Sequence, residues 1–160
     1  MRKEKMITLD DRGNKLTFRI KEMPAMKLES WLLKAGLLLA GSGMFDSKDI
    51  SSPGEAIQKA GAVLSTGGVS ALGGIDFDKL QPLLDDLLRC CVRVDAGIEQ
   101  EMTPEIVDGV IEDIRTLFAL RKEALALNLD FFGKGNLFAS GEETQSQGPS
   151  KPKISLHSAR

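Results

Sequence analysis

The chain has no tyrosine and a single tryptophan among its 160 residues, and aromatic side chains make up only 5% of it. The 42% that is hydrophobic is therefore mostly Leu, Ile, Val, Met and Ala, a set that favours helices. Only one histidine is present, His157, in a polar C-terminal stretch, so neither a histidine-based triad nor a histidine-rich metal cage is expected. The two cysteines, Cys90 and Cys91, are neighbours. Adjacent residues rarely reach disulfide geometry, and the pair reads as two small core hydrophobes in a reducing compartment. Positive charge is not in excess either: the formal charge is -2, the pI is near 5.5, and no basic face interleaves with aromatic rings. Nothing in that balance attracts a phosphate backbone, so nucleic acid is not an expected partner.

Long apolar runs are also missing. The greasiest stretch, WLLKAGLLLAG at 31–41, has Lys34 in its middle and stops at Gly41-Ser42-Gly43, whereas a bilayer helix needs about 20 apolar residues. No membrane span is expected. The basic start MRKEKM is followed by ITLDDRGNKLTF instead of an apolar segment, which reads as no export signal.

What is present is periodicity. Residues 6–22 alternate apolar and polar on both sides of a turn cluster, predicting a β-hairpin with Gly13-Asn14 in its turn. Pro24 suits the opening of a helix that runs to about residue 40. Leu28, Trp31, Leu32, Ala35, Leu38 and Leu39 form one stripe of that helix, and Met26, Leu33 and Leu37 a second. Gly36, inside the helix, implies the close approach of another backbone. A polar loop over 42–49 precedes Ser52-Pro53-Gly54-Glu55, whose S-x-x-E spacing is a capping box opening a short helix to about residue 64. The two Gly-Gly pairs of STGGVSALGGI (65–75) read as a flexible or tightly turned connection. A third helix is predicted over 77–92, and 92–102 fits either an extended segment or a loop. Thr103-Pro104 then opens the longest helix, to about residue 130. Its main stripe contains Val107, Val110, Ile111, Ile114, Leu117, Phe118, Leu125, Leu129 and Phe132, and a second row contains Leu120, Ala124, Leu127 and Phe131. The remaining residues, 133–160, are rich in Gly, Ser, Gln, Lys and Pro and are expected to form a disordered tail after a single domain of residues 1–132. The fold class expected is mostly α, in the α+β sense, with a small N-terminal β-hairpin.

Catalytic constellations are hard to find. GGVSALGG lacks the lysine and hydroxyl of a phosphate-binding loop. Asp76 and Asp78 suit a helix N-terminus, and Asp85-Asp86, Glu99 and Glu101 suit solvated faces. A non-enzymatic protein without cofactor or metal is the expectation. The unusual property is surplus apolar helix surface: each large side chain left in water forgoes about 1.5–3 kcal/mol, so an uncovered row calls for a partner helix or a second copy.

Two stretches carry a resemblance. The N-terminal hairpin running into FRIKEMPAMKLESWLLKAGLLL, and the late IRTLFALRKEALALNLDFFGKG before a polar tail, resemble the tail assembly chaperones of tailed bacteriophages over about a third of the chain. The resemblance implies a non-enzymatic protein of the host cytoplasm, absent from the finished virion, that coats the tape measure protein and helps bring tail tube subunits to it. It also implies a frameshifted, longer product, and Asp130-Phe131-Phe132 is encodable as GAT TTT TTC, a slippery pattern. Trp31, Leu38, Phe118, Leu125, Leu127 and Phe131 are the candidates for partner or self contact, although none is a family-defined site and Phe118 and Leu125 also fit a core. The competing expectations are a structural phage tail or connector subunit and an acidic secretion-type chaperone or adaptor.

Overall fold

Ile7 and Leu9 before the first turn, and Leu16, Phe18 and Ile20 after it, fall on one side of a pleat because side chains alternate along a strand. In the computed structural model they lie on strands β1 (Glu4–Asp11) and β2 (Asn14–Lys21), paired antiparallel with Ile7 opposite Phe18 and Leu9 opposite Leu16. The structure describes residues 1–43, 46, 48 and 51–134. The turn residues are Arg12-Gly13 rather than Gly13-Asn14, because Asp11 pairs with Asn14. Both have positive φ, 53° and 91°, the left-handed pair that lets a two-residue turn follow the strand twist.

The helices come next: α1 (Ala25–Gly41), α2 (Pro53–Gly67) and α3 (Phe77–Leu88). The Ser52 hydroxyl caps α2 by accepting the Glu55 N–H (3.3 Å). The Glu55 carboxylate reaches back one residue beyond the N-cap, accepting from the Ser51 N–H at 2.7 Å. Gly36 of α1 lies against α2, where a Cβ would come within 3.0 Å of the Ala56 carbonyl oxygen and 3.4 Å of the Ala60 methyl. Small residues on both sides are what bring these two helices so close. Of the stretch 65–75, read as a flexible or tightly turned connection, the first residues finish α2 and the next form a tight 3-10 turn (Gly68–Leu72) that sets Leu72 fully into the core.

Two further predictions are corrected. The third helix stops at Leu88, not at residue 92, and the β-branched run from Cys91 forms strand β3 (Cys91–Asp95), paired with β2 and followed by β4 (Ile98–Glu101). The β3–β4 turn, Ala96-Gly97, again has positive φ at both residues. The protein is therefore a mixed α+β fold with a four-stranded antiparallel sheet in the order β1-β2-β3-β4, and the strand content is larger than one hairpin. The segment predicted as one helix from 104 to 130 is two: α4 (Pro104–Val107) and α5 (Ile114–Leu129), with a break at 108–113. A second 3-10 turn, Asp130–Lys134, ends the described chain and takes in the first two residues of the tail expected over 133–160; the rest of that tail, 135–160, lies outside the described residues.

One face of the sheet carries Leu16, Phe18, Ile20 and Cys91, all buried, and α5 lies across it. The opposite face shows Glu4, Thr8, Lys15, Thr17 and Arg19, with Arg19 paired to Glu99, and among these polar residues it also carries the exposed Met6 and the buried Val92. Away from the sheet, Trp31 ties α1 to α3: its indole N–H donates to the Leu83 carbonyl at 3.1 Å, and the ring is 2% exposed. We expect Gly36→Val to destabilise the fold by about 1–3 kcal/mol through overpacking of the α1–α2 contact. A fall in the urea midpoint at unchanged slope is the readout, and an unaltered midpoint would refute the close packing.

Candidate functional site: an apolar groove beside helix α5

The rotation of α5 about its axis decides which of its apolar residues stay in water. That rotation is fixed at the break before the helix, where Asp11, 2% exposed at the end of β1, accepts the backbone N–H groups of Glu112 and Asp113, both at 2.9 Å. Asp113 is the N-cap of α5 and accepts the Arg115 N–H at 2.9 Å. The Arg115 guanidinium doubles back onto the same carboxylate at 2.6 Å. Further along, the buried Asn128 accepts the Met23 N–H at 2.8 Å and donates to the Ala124 carbonyl at 2.8 Å. Lys3–Asp130 and Lys5–Glu123 pair at 2.7 and 2.6 Å on the surface. Exposed pairs of that kind contribute about 0–1 kcal/mol each, so among the polar contacts of α5 the buried Asp11 and Asn128 count for most.

With this setting, Thr116, Leu120, Ala124, Leu125, Asn128 and Leu129 turn inward. Ile114, Phe118, Lys122 and Ala126, four residues apart, face water. Ile114 is 63% exposed and Phe118 55%. The row containing Leu120 and Ala124, expected to be spare, is thus core, and part of the expected core stripe is surface. Of the six candidates, Trp31 and Leu125 are core, and Leu38, Leu127 and Phe131 are half-buried against it. Phe118 alone stands out in solvent. Phe132 lies over Gly61 of α2, where any Cβ would overlap its ring. On α1, Met26 and Leu37 are exposed and Leu33 is half-buried, so the second stripe of that helix is also uncovered. Ile114, Leu37 and Met26 were not among the candidates; Leu37 and Met26 were legible as second-stripe positions, and Ile114 was hidden by the apparent continuity of the long helix.

Phe118 borders a groove of about 570 Å³ between α5 and the α2 end, lined by Gly67, Gly68, Ser70, Arg121 and Lys122. A second hollow of about 430 Å³ continues it past Lys122 to Leu125, Ala126 and Asp130. Gly67, Gly68 and Lys122 line both, so the two form one trough along α5.

The other chemically notable groups have structural explanations. Burial pushes the Cys90 thiol up to about 11 and the Cys91 thiol higher still, so both are protonated at neutral pH and unsuited to nucleophilic work. Their sulfhydryls donate weakly to the Asp86 and Leu87 carbonyls. No group of three or more His, Cys, Asp or Glu side chains among the described residues is placed to hold a metal ion, and His157 lies outside those residues. No described helix is long and apolar enough to cross a membrane. Compared with protein families, curated proteins and solved structures, the chain finds no match.

Burial alone would raise the Asp11 carboxyl, but the Glu112 and Asp113 N–H groups and the Thr116 hydroxyl outweigh it and hold its pKa below the usual range. Arg115 holds Asp113 at about 2. Since an unfolded aspartate takes up its proton near pH ~3.9, the unfolded chain binds more protons than the folded one just below that pH. The stabilisation from these two groups is complete above that value and drains as pH falls toward 2. Asp11→Asn should lower stability at neutral pH and flatten that acid limb in urea midpoints taken from pH 7 downward; parallel curves would contradict the clamp. Separately, neither thiol should react with Ellman's reagent at pH 8 in the native chain, and both should react in denaturant. Rapid native labelling would show that the cysteines are not where the fold puts them.

Proposed function

We propose that this protein is a tail assembly chaperone of the kind used by tailed bacteriophages, binding the tape measure protein and helping to recruit tail tube subunits. The observation that carries this is the uncovered apolar helix surface, with Ile114 and Phe118 beside the trough on α5 and Met26 and Leu37 on α1, in a fold whose core is otherwise filled. Two large side chains left in water on one helix face forgo about 1.5–3 kcal/mol each, which burial against a client helix returns. The resemblance of the residues around α1 and α5 to that family supports the same function. On this proposal the chain acts in the host cytoplasm, performs no catalysis, and is absent from the mature particle. A structural tail or connector subunit would instead be found at stoichiometric levels in purified particles.

Co-expression with the tape measure protein of the same phage genome is the test. The tape measure protein should become soluble and co-purify with the chain. Leu37→Asp and Phe118→Asp should each reduce that rescue while leaving the unfolding free energy from urea titration within about 0.5 kcal/mol of the parent, since both sites are exposed. A tape measure protein that stays insoluble beside the intact chain, or the presence of the chain in mature particles, would overturn the proposal.

A further inference from the structure

We propose that the trough between the end of α2 and α5 is a docking site for an acidic amphipathic helix of a partner polypeptide, with a partner carboxylate between Arg121 and Lys122 and its apolar side on Phe118. This inference rests on the chaperone function proposed above and names the chemistry of the client segment. Arg121 is the key residue. Its side chain is only 12% exposed, yet its nearest anion, Asp85, stands 3.9 Å away, beyond hydrogen-bond range, and the Asp85 carboxylate already accepts from Gln81 at 2.9 Å. The Arg121 Nε–H is buried without any acceptor. The Nε–H itself is shut off from the surface, so what an incoming carboxylate meets is the part of the guanidinium that lines the groove, whose charge Asp85 approaches only to 3.9 Å; a guanidinium suits carboxylate geometry. Burial holds the Arg121 guanidinium below its usual pKa, with Asp85 opposing only in part. Beside it, Lys122 is exposed and forms no ion pair with the other described residues.

The remaining walls decide the rest of the partner's chemistry. Gly67, Gly68 and Ser70 offer backbone and a hydroxyl, and Phe118 offers an apolar ring. The trough follows α5 from Phe118 to Asp130, twelve residues or about 18 Å at 1.5 Å per residue, which suits roughly three turns of a helix. The acid at its far end, Asp130, is already paired with Lys3. A two-fold contact between copies of the chain across this row would bring Lys122 toward its own counterpart, so charge favours an acidic partner over self-association.

The probe is a fluorescein-labelled, helix-forming 14-residue peptide with Leu at i, i+3, i+4 and i+7 and two Glu one turn from a Phe, compared with a twin carrying Lys for Glu. Anisotropy with the full chain should show binding of the acidic peptide and little of the basic one. Lys122→Glu should weaken the acidic peptide by about tenfold or more and improve the basic twin, and Phe118→Ala should weaken the acidic peptide. Both positions are exposed, and circular dichroism with the urea midpoint verifies that the variants stay folded. Equal affinity for the two peptides, indifference to Lys122→Glu, or a dimer in sedimentation that this substitution dissociates would each overturn the inference. The two proposals fail separately. If Lys122→Glu and Phe118→Ala leave rescue of the tape measure protein intact, the trough is not the docking site and the chaperone function stands. If the acidic peptide binds with this charge dependence while the parent chain rescues nothing, the docking site stands and the chaperone function falls.

Discussion

The surface of this protein depends on one buried carboxylate. Asp11, at the end of β1, takes the N–H groups of Glu112 and Asp113 and so gives α5 a fresh start instead of letting it continue α4. A helix begun there has its rotation fixed by the cap and, at its other end, by Asn128 on the Met23 N–H. Everything that α5 presents follows from this. Thr116, Leu120, Ala124 and Asn128 go inward, and Ile114, Phe118 and Lys122 go outward.

The helical layer is held by a different means. Gly36 against Ala56 and Ala60 brings two backbones close, and Trp31 bridges to the Leu83 carbonyl across the same layer. These contacts use up the main stripe of α1 and leave Met26 and Leu37 exposed. Together with α5, the chain carries two apolar rows that its own packing does not use, and one of them borders a trough whose buried arginine lacks a full partner. Isolated exposed apolar residues are ordinary in folded proteins; apolar residues set beside a concave, positively charged groove are a better basis for recognition.

Local chemistry was legible wherever one short stretch carried its own signal. The alternation over 6–22, the Ser52–Glu55 cap and the small residue at Gly36 took the form that their residue types require, whereas Thr103 before Pro104 opens only the four-residue α4 and makes no side-chain cap hydrogen bond. Where a long-range partner decided, local reasoning failed. Cys91–Val94 became a strand because β2 offers it an edge, and helical periodicity through 107–114 was overruled by Asp11, about a hundred residues earlier in the chain. Of the six contact candidates, Phe118 alone is exposed, because stripe membership says which residues are apolar but not which face meets the sheet.

By itself, then, the sequence determined an acidic chain with few rings, a first hairpin, capped helices and more apolar helix surface than one stripe per helix requires. It did so because alternation, caps and turn residues act over a few positions of the chain. Only the tertiary structure decided that two hairpins share one sheet, that α4 and α5 are separate, and that Phe118, Arg121 and Lys122 border one trough. The physical reason is distance along the chain: the rotation of a helix is set by what it packs against, and the partners that set α5, Asp11 and Met23, lie at the opposite end of the sequence.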